Sequence, residues 1–205
     1  QISFLKKATP NIVETNIEGT RNVIRAVREQ KVERLVHCSS VVACAISENG
    51  QPVTEDLPWN FDKFGMDDSY SSTKYQSQQI VLKASNEIDA VIVNPTYMLG
   101  PFDPKPSSGQ LILDGIKGRV PGVTTGMNNF VDVRDVCKGM IAAFEKGKRG
   151  ECYILGDQNM NYQEIISLIG RVAGVSTPSL KIPPFFSLPI GLLGDIKQML
   201  TGKEG

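Results

Sequence analysis

The chain has 205 residues, of which 40% are hydrophobic and 21% are charged, an ordinary composition for a globular protein with a sizeable core. Its 22 basic and 22 acidic residues give a formal net charge of zero, which argues against nucleic acid or an anionic membrane as a partner held by bulk charge. No apolar run approaches the ~20 residues of a membrane-spanning helix. We therefore expect a cytoplasmic protein that binds neither nucleic acid nor membrane.

The cysteine and histidine content predicts no metal site. The four cysteines form no C-x-x-C pair, and His37 is the only histidine. Cys38 and Cys152 lie in apolar, strand-like runs, so we expect buried, reduced thiols.

Helical and extended patterns alternate in the first half of the chain. Residues 11–30 carry apolar side chains at helical spacing and predict an amphipathic helix. Residues 35–38 form a short apolar strand, and residues 48–64 are loop, rich in Pro, Gly, Asn and Asp. Asp68 is a capping residue before a second predicted helix at 70–84.

The second half continues this alternation. Residues 90–93 are apolar and largely β-branched, which is typical of a strand buried on both faces of a parallel sheet. Asn161 and Glu164 resemble a capping box for a helix that ends at Gly174. Three further elements are expected: a helix at 107–117, a helix at 132–146 and a strand at 153–155. The whole pattern predicts an α/β protein with a parallel sheet.

Tyr70 and Lys74 are the strongest candidates for chemistry. Residues four apart on a helix share a face, with Cβ atoms ~5–6 Å apart. A tyrosine titrates near ~10, and a nearby positive charge favours its ionised form, so the pair can exchange a proton with a carbonyl or alcohol. The spacing alone also occurs in many helices as a solvated pair.

Ser39 and Ser40 directly follow the strand at 35–38. In open α/β sheets, ligands bind at the carboxyl ends of the strands. A serine at this position can hold a substrate oxygen for Tyr70. The alternative is that the two serines simply close a turn.

Several short motifs occur together in one order. They are Asn16-x-x-Gly19-Thr20, Ser39-Ser40, Tyr70-x-x-x-Lys74, Asn94-Pro95-Thr96, Leu99-Gly100-Pro101 and Phe130 to Val136. In order and spacing the chain resembles the extended short-chain dehydrogenase/reductase superfamily, the NAD-dependent epimerase/dehydratase enzymes. Within it, the chain is most similar to the branch that holds dihydroflavonol-reductase-like enzymes and bacterial nucleoside-sugar epimerase relatives. The T-G-K-E string at 201–204 is similar to bacterial members of that branch.

The resemblance implies a Rossmann-type doubly wound parallel sheet with a small C-terminal substrate-binding region. Residues 1–100 would be the latter part of the dinucleotide-binding domain and carry the Ser, Tyr and Lys. Residues 101–205 would be a mixed substrate-binding region, with returning Rossmann elements at about 130–155. The cofactor would be NADP or NAD.

The resemblance also implies a role for each candidate residue. Tyr70 would be the general acid/base, and Ser40 would orient the substrate carbonyl. Lys74 would contact the nicotinamide ribose and depress the pKa of Tyr70. Three further residues would lie near the cofactor: Ser39, Pro95 and Thr96.

Reductase chemistry is the leading interpretation: reduction of a carbonyl or oxidation of an alcohol by hydride transfer. The alternatives are a nucleotide-sugar epimerase or dehydratase, and a non-catalytic dinucleotide sensor or inactive fragment. A diphosphate pocket would need cations, and the region 102–130 offers a modest set: Lys105, Lys117 and Arg119. Gln78 and Asn94 stand where relatives often have Glu and Arg, a difference that bears on the subfamily.

The family's glycine-rich dinucleotide fingerprint does not occur in the sequence. We therefore expect a fragment that lacks the first βαβ units and that alone neither folds well nor binds a dinucleotide.

Relatives often pair through the helices equivalent to 11–30 and 70–84. Because the outer faces of these two helices are polar or charged, we expect a monomer or a weak homodimer.

Overall fold

The computed structural model describes residues 9–104, 108–178, 180 and 182. The chain divides into two units. The first takes in the residues up to Thr96 together with Asp135–Leu155, and the second takes in Tyr97–Arg134 and the residues from Gly156 onward. Three features named above lie outside the described residues: the predicted helix start at Ser107, Lys105 and the 201–204 string.

The helices and strands in chain order are α1 Pro10–Val13, a π-helical segment Glu14–Glu18, α2 Gly19–Glu29, β1 Leu35–Cys38, α3 Ser69–Ala84, β2 Ala90–Pro95, β3 Tyr97–Leu99, α4 Gln110–Ile116, β4 Met127–Asp132, α5 Val133–Lys146, β5 Cys152–Leu155, β6 Gln158–Asn161 and α6 Tyr162–Ala173.

The first unit is built on a parallel sheet in the order β1-β2-β5. All six residues of β2 are buried, as expected for the central strand of a sheet covered on both faces. One face of the sheet packs on α2 and α3 through a cluster that includes Ile24, Val81 and Ile92. The other face packs on α5 through Val91, Val93 and Ala143.

Capping residues set the helix ends that the sequence predicts. The Asp68 side chain accepts the N–H of Ser71 at 2.8 Å at the start of α3. Asn161 and Glu164 form the complete capping box of α6, which ends at Gly174 with a positive φ of 68°. Both predictions are confirmed. The predicted helix at 11–30 is also present, but the π-helical segment in its middle was not anticipated.

The second unit contains a mixed sheet in the order β3-β4-β6. Strands β3 and β4 are parallel, and β4 and β6 are antiparallel. One apolar cluster, which includes Phe130, Ile166 and Ile169, joins this sheet to α4 and α6. The sequence analysis missed all three strands. Strand β3 has only three residues, and Met-Asn-Asn-Phe in β4 and Gln-Asn-Met-Asn in β6 lack the apolar alternation of an ordinary strand.

The prediction that the cysteines are buried is only partly right. All four are free thiols; Cys44 is buried, whereas Cys38 and Cys137 are exposed. Cys38 is exposed because it ends β1, an edge strand among the described strands.

Within the described part of the chain, no helix is long and apolar enough to cross a membrane. The same residues contain no cluster of three or more potential metal ligands from His, Cys, Asp and Glu.

Candidate active site

The segment after β1 turns sharply at the two serines. The N–H of Ser39 donates to the carbonyl of Val93 at 2.8 Å and so continues the pairing with β2. Ser40 is extended and begins a 3-10 turn at Val41–Ala43, where its Oγ accepts the N–H of Val42 at a long 3.5 Å. The Ser40 hydroxyl therefore stands at the carboxyl edge of the parallel sheet.

Helix α3 brings Tyr70 and Lys74 to the same edge. The Tyr70 phenol is hydrogen-bonded to the Ser40 side chain. The Lys74 ammonium donates to the carbonyl of Cys38 at 3.3 Å. Three of the predicted site residues, Ser40, Tyr70 and Lys74, are thus gathered around the end of β1.

Burial dominates the electrostatics of this cluster. It raises the pKa of Tyr70 above its ordinary value, and the charges of Cys38 and Asp68 add to this, while the Ser40 hydrogen bond lowers it. Burial likewise lowers the pKa of Lys74. The expectation that Lys74 depresses the pKa of Tyr70 differs from this finding. In the chain alone, desolvation favours the neutral phenol, and the ammonium binds a backbone carbonyl.

The other expected cofactor residues lie at neighbouring points of the same edge. Pro95 ends β2, and the N–H of Thr96 donates to the carbonyl of Leu155 at 3.1 Å. Since Cys38 pairs with Val93 in register, the carboxyl ends of β1 and β2 lie side by side. The Oγ of Ser39 is buried and has no hydrogen-bond partner among the described residues.

Polar contacts hold α3 in place. Its buried positions include Ser69, Ser71, Thr73, Ser77 and Gln78. From the π-helical segment, the Asn16 side chain donates to Thr73 Oγ1 at 3.0 Å, and the Ser77 hydroxyl donates to the Asn16 carbonyl. These bonds connect the first helical region to the helix that carries Tyr70.

Sequence reasoning missed the role of Asn94 and Gln78. The Asn94 amide donates to the carbonyl of Ser40 at 2.8 Å and to Oε1 of Gln78 at 2.7 Å. The available signal was that both residues depart from the family pattern, which was interpreted only as a subfamily difference.

The loop before α3 is anchored by aromatic contacts. The Trp59 ring stacks on Tyr75 with centroids 4.6 Å apart and on Phe61 at 5.7 Å. Its indole N–H donates to the carbonyl of Val42 at 3.0 Å. Trp59 therefore joins α3 to the turn that follows Ser40.

Comparison with known proteins decides the family. The sequence model of the NAD dependent epimerase/dehydratase family matches residues 6–156. The chain belongs to this family. The predicted family and the predicted Rossmann-type α/β fold class are both confirmed.

Similar proteins include two reductases. The chain is 34% identical to a Synechocystis sp. protein described as a candidate dihydroflavonol 4-reductase, over 91% of this chain and 55% of the relative. It is 31% identical to a quinoline-oxide ketoreductase of Stigmatella aurantiaca, over 82% of this chain and 50% of the relative. The chain thus spans about half the length of these curated relatives.

Solved structures show the same fold. The chain superposes on the crystal structure of gox2253 with a TM-score of 0.81 and 34% sequence identity. The match covers 100% of this chain and 63% of the gox2253 chain. The crystal structure of a nucleoside-diphosphate-sugar epimerase from Pseudomonas aeruginosa matches with a TM-score of 0.82 and 23% sequence identity. The match covers 91% of this chain and 61% of the epimerase chain. The second likeness concerns the fold alone.

Proposed function

We propose that the protein is an NAD(P)-dependent oxidoreductase that reduces a carbonyl or oxidises an alcohol, with Tyr70 as the general acid/base. One observation carries this proposal: the Ser40 and Tyr70 hydroxyls are hydrogen-bonded to each other beside Lys74 at the carboxyl edge of the parallel sheet. Ligands bind at this edge in open α/β folds.

The donors at this edge fit a dinucleotide. Lys74 has three N–H donors, and the Cys38 carbonyl accepts one of them, so the ammonium can also serve a ribose diol. We propose that Lys74 and Tyr70 hold the ribose, with Ser39, Pro95 and Thr96 near the nicotinamide, which when bound supplies or accepts the hydride. The dependence of the family on NAD supports this cofactor class, NADP or NAD.

The proposed mechanism uses the Ser40 and Tyr70 hydroxyls together. Ser40 donates a hydrogen bond to the substrate oxygen and holds it beside the phenol. Because burial keeps Tyr70 protonated at neutral pH, the phenol can deliver its proton to that oxygen as a carbonyl becomes an alcohol. In the oxidative direction the phenolate accepts the proton, so that direction is favoured at higher pH.

Reduction is a better proposal than epimerisation. Relatives above 30% identity include a candidate reductase and a ketoreductase. Lys117 and Arg119, two of the three cations considered for a diphosphate pocket, are exposed. We also propose that residues 1–100 serve the dinucleotide and that 101–205 contribute the substrate-binding region, with returning Rossmann elements at about 130–155.

The decisive experiment measures dinucleotide oxidation by the full-length protein against a panel of ketones and aldehydes. Tyr70→Phe should lower kcat by about 10²–10⁴, the usual contribution of a positioned general acid/base, while the Kd of the dinucleotide changes little. Lys74→Ala should weaken both binding and rate. Tyr153→Phe is the matched control, because that phenol only accepts the N–H of Lys148 among the contacts described.

Two results would overturn the proposal. Tyr70→Phe could retain most of the wild-type turnover, which would remove Tyr70 from the chemistry. Alternatively, a nucleotide sugar could be epimerised without net consumption of dinucleotide, which would favour the epimerase.

A further inference from the structure

A buried pair of amides lies beside the proposed site, between the central strand and the helix that carries Tyr70. Asn94 is 0% exposed and Gln78 is 6% exposed. The Asn94 amide donates to the Ser40 carbonyl at 2.8 Å and to Gln78 Oε1 at 2.7 Å. Because a backbone carbonyl can only accept, the first bond sets the orientation of the Asn94 amide, and both its N–H groups are used.

The carbonyl oxygen of the Asn94 side chain indicates that packing alone does not explain an asparagine at this position. Asn94 Oδ1 is buried and has no hydrogen-bond partner among the described residues. A buried acceptor without a partner destabilises the fold, whereas an apolar side chain in this fully buried strand would leave none. The two N–H bonds must therefore do something that an apolar residue cannot.

We infer that Asn94 is a positioning residue, which holds the backbone of Ser40 against β2 and so aims the Ser40 hydroxyl at Tyr70. The Ser40 carbonyl also accepts the N–H of Ala43 at 2.9 Å, but that bond only closes the local turn. The Asn94 bond is the one that ties this carbonyl to a side chain of the central strand. The inference rests on the proposed function for its effect on catalysis, but not for its effect on structure.

Asn94→Leu tests the inference, because leucine keeps the branched shape of the side chain and has no hydrogen-bonding group. The Ser40 carbonyl then loses its bond to the central strand and keeps only the N–H of Ala43, which releases the turn. We expect kcat to fall by about ten- to a hundredfold, the scale of a small misplacement of a reacting group, with the Kd of the dinucleotide little changed. Asn94→Ala, which shortens the side chain and also has no donor, serves if Asn94→Leu does not fold.

The pH profile separates positioning from loss of stability. The Ser40 hydrogen bond lowers the pKa of Tyr70, so weakening it should move the profile of alcohol oxidation to higher pH. Cys38 and Asp68, the other groups that influence this pKa, are untouched. Asn60→Leu is the matched control: Asn60 is 5% exposed and binds the backbone of Ile46. It should reduce stability without moving the profile.

Fluorescence of Trp59, the only tryptophan, gives a readout that needs no turnover. Its indole binds Val42, two residues after Ser40, so release of the turn should shift its emission. If the wild-type protein reduces no carbonyl, the proposed function fails, yet the emission still tests Asn94. A folded Asn94→Leu protein with wild-type emission, or with a wild-type kcat and pH profile, would overturn the inference.

Discussion

The two units of the chain bury different kinds of side chain. In the second unit the described core is apolar, with Val123, Phe130 and Ile166 among its members. Every polar residue that is buried among the described residues lies in the first unit: Ser39, Asn60, Ser69, Ser71, Thr73, Ser77, Gln78, Ser85, Asn94 and Thr96. Five of them are on α3.

This difference follows from what each region must orient. A buried polar group is tolerated when its hydrogen bonds are made, and those bonds fix direction in a way that apolar contacts do not. On α3, the Thr73 hydroxyl donates to the carbonyl of Ser69 at 2.6 Å, and the Ser77 hydroxyl, which donates to the Asn16 carbonyl, lies 2.8 Å from the carbonyl of Thr73. Polar packing therefore surrounds the residues proposed for catalysis, and apolar packing stabilises the other unit.

The largest expected effect on stability tests the apolar unit. Ile166 is 1% exposed, so Ile166→Ala should reduce the free energy of unfolding by about 2–5 kcal/mol through lost burial and the cavity left behind. Urea unfolding followed by circular dichroism measures it. Val172→Ala, at a position that is 80% exposed, is the control and should cost within about 0.5 kcal/mol. Equal losses at both positions would contradict an apolar core in this unit.

A pH effect tests the first unit. Burial, assisted by the charge of Lys74, lowers the pKa of His37 from 6.5 to about 4. Between these values the unfolded chain binds a proton that the folded chain does not, so stability should fall as the pH drops from 6.5 to 4. The contribution is on the order of 3 kcal/mol.

The measurement compares urea unfolding near neutral and mildly acidic pH in the wild type and in His37→Gln. His37 is the only histidine, so the variant should lose this part of the pH dependence. An unchanged pH dependence in His37→Gln would contradict the prediction. It would show that the folded imidazole titrates near its ordinary pKa and is accessible to water.

The smallest effect concerns self-association. The outer faces of α2 and α3 carry exposed Arg28 and Lys83, and Arg28 forms an ion pair with Glu87 at 2.8 Å. Such a polar surface should support a monomer or a weak homodimer. Light scattering at micromolar concentration measures this. A tight dimer that buries both helices would extend the polar packing of the first unit to its subunit interface.

Local sequence was sufficient for the elements whose signals are local. The strand at 35–38 has the observed bounds, because a short run with three apolar residues among its four lies between a polar segment and the Ser39-Ser40 turn. The caps at Asp68 and Asn161 were readable because a capping side chain binds the backbone only three residues away. Motif order was likewise enough to name the family. The roles of Ser40, Tyr70 and Lys74 stay predictions.

Long-range contacts could not be read in this way. The bond between Asn94 and the Ser40 carbonyl spans 54 residues, and the bond from Asn16 to Thr73 spans 57. Strand β6 and the first half of β4 have no apolar pattern of their own, and their pairing depends on the sheet, in which β4 pairs with both β3 and β6. The raised pKa of Tyr70 arises from burial, which the i, i+4 spacing of Tyr70 and Lys74 does not reveal. Each of these depends on which distant groups the fold brings together and how much water it removes, and neither quantity is encoded in neighbouring residues.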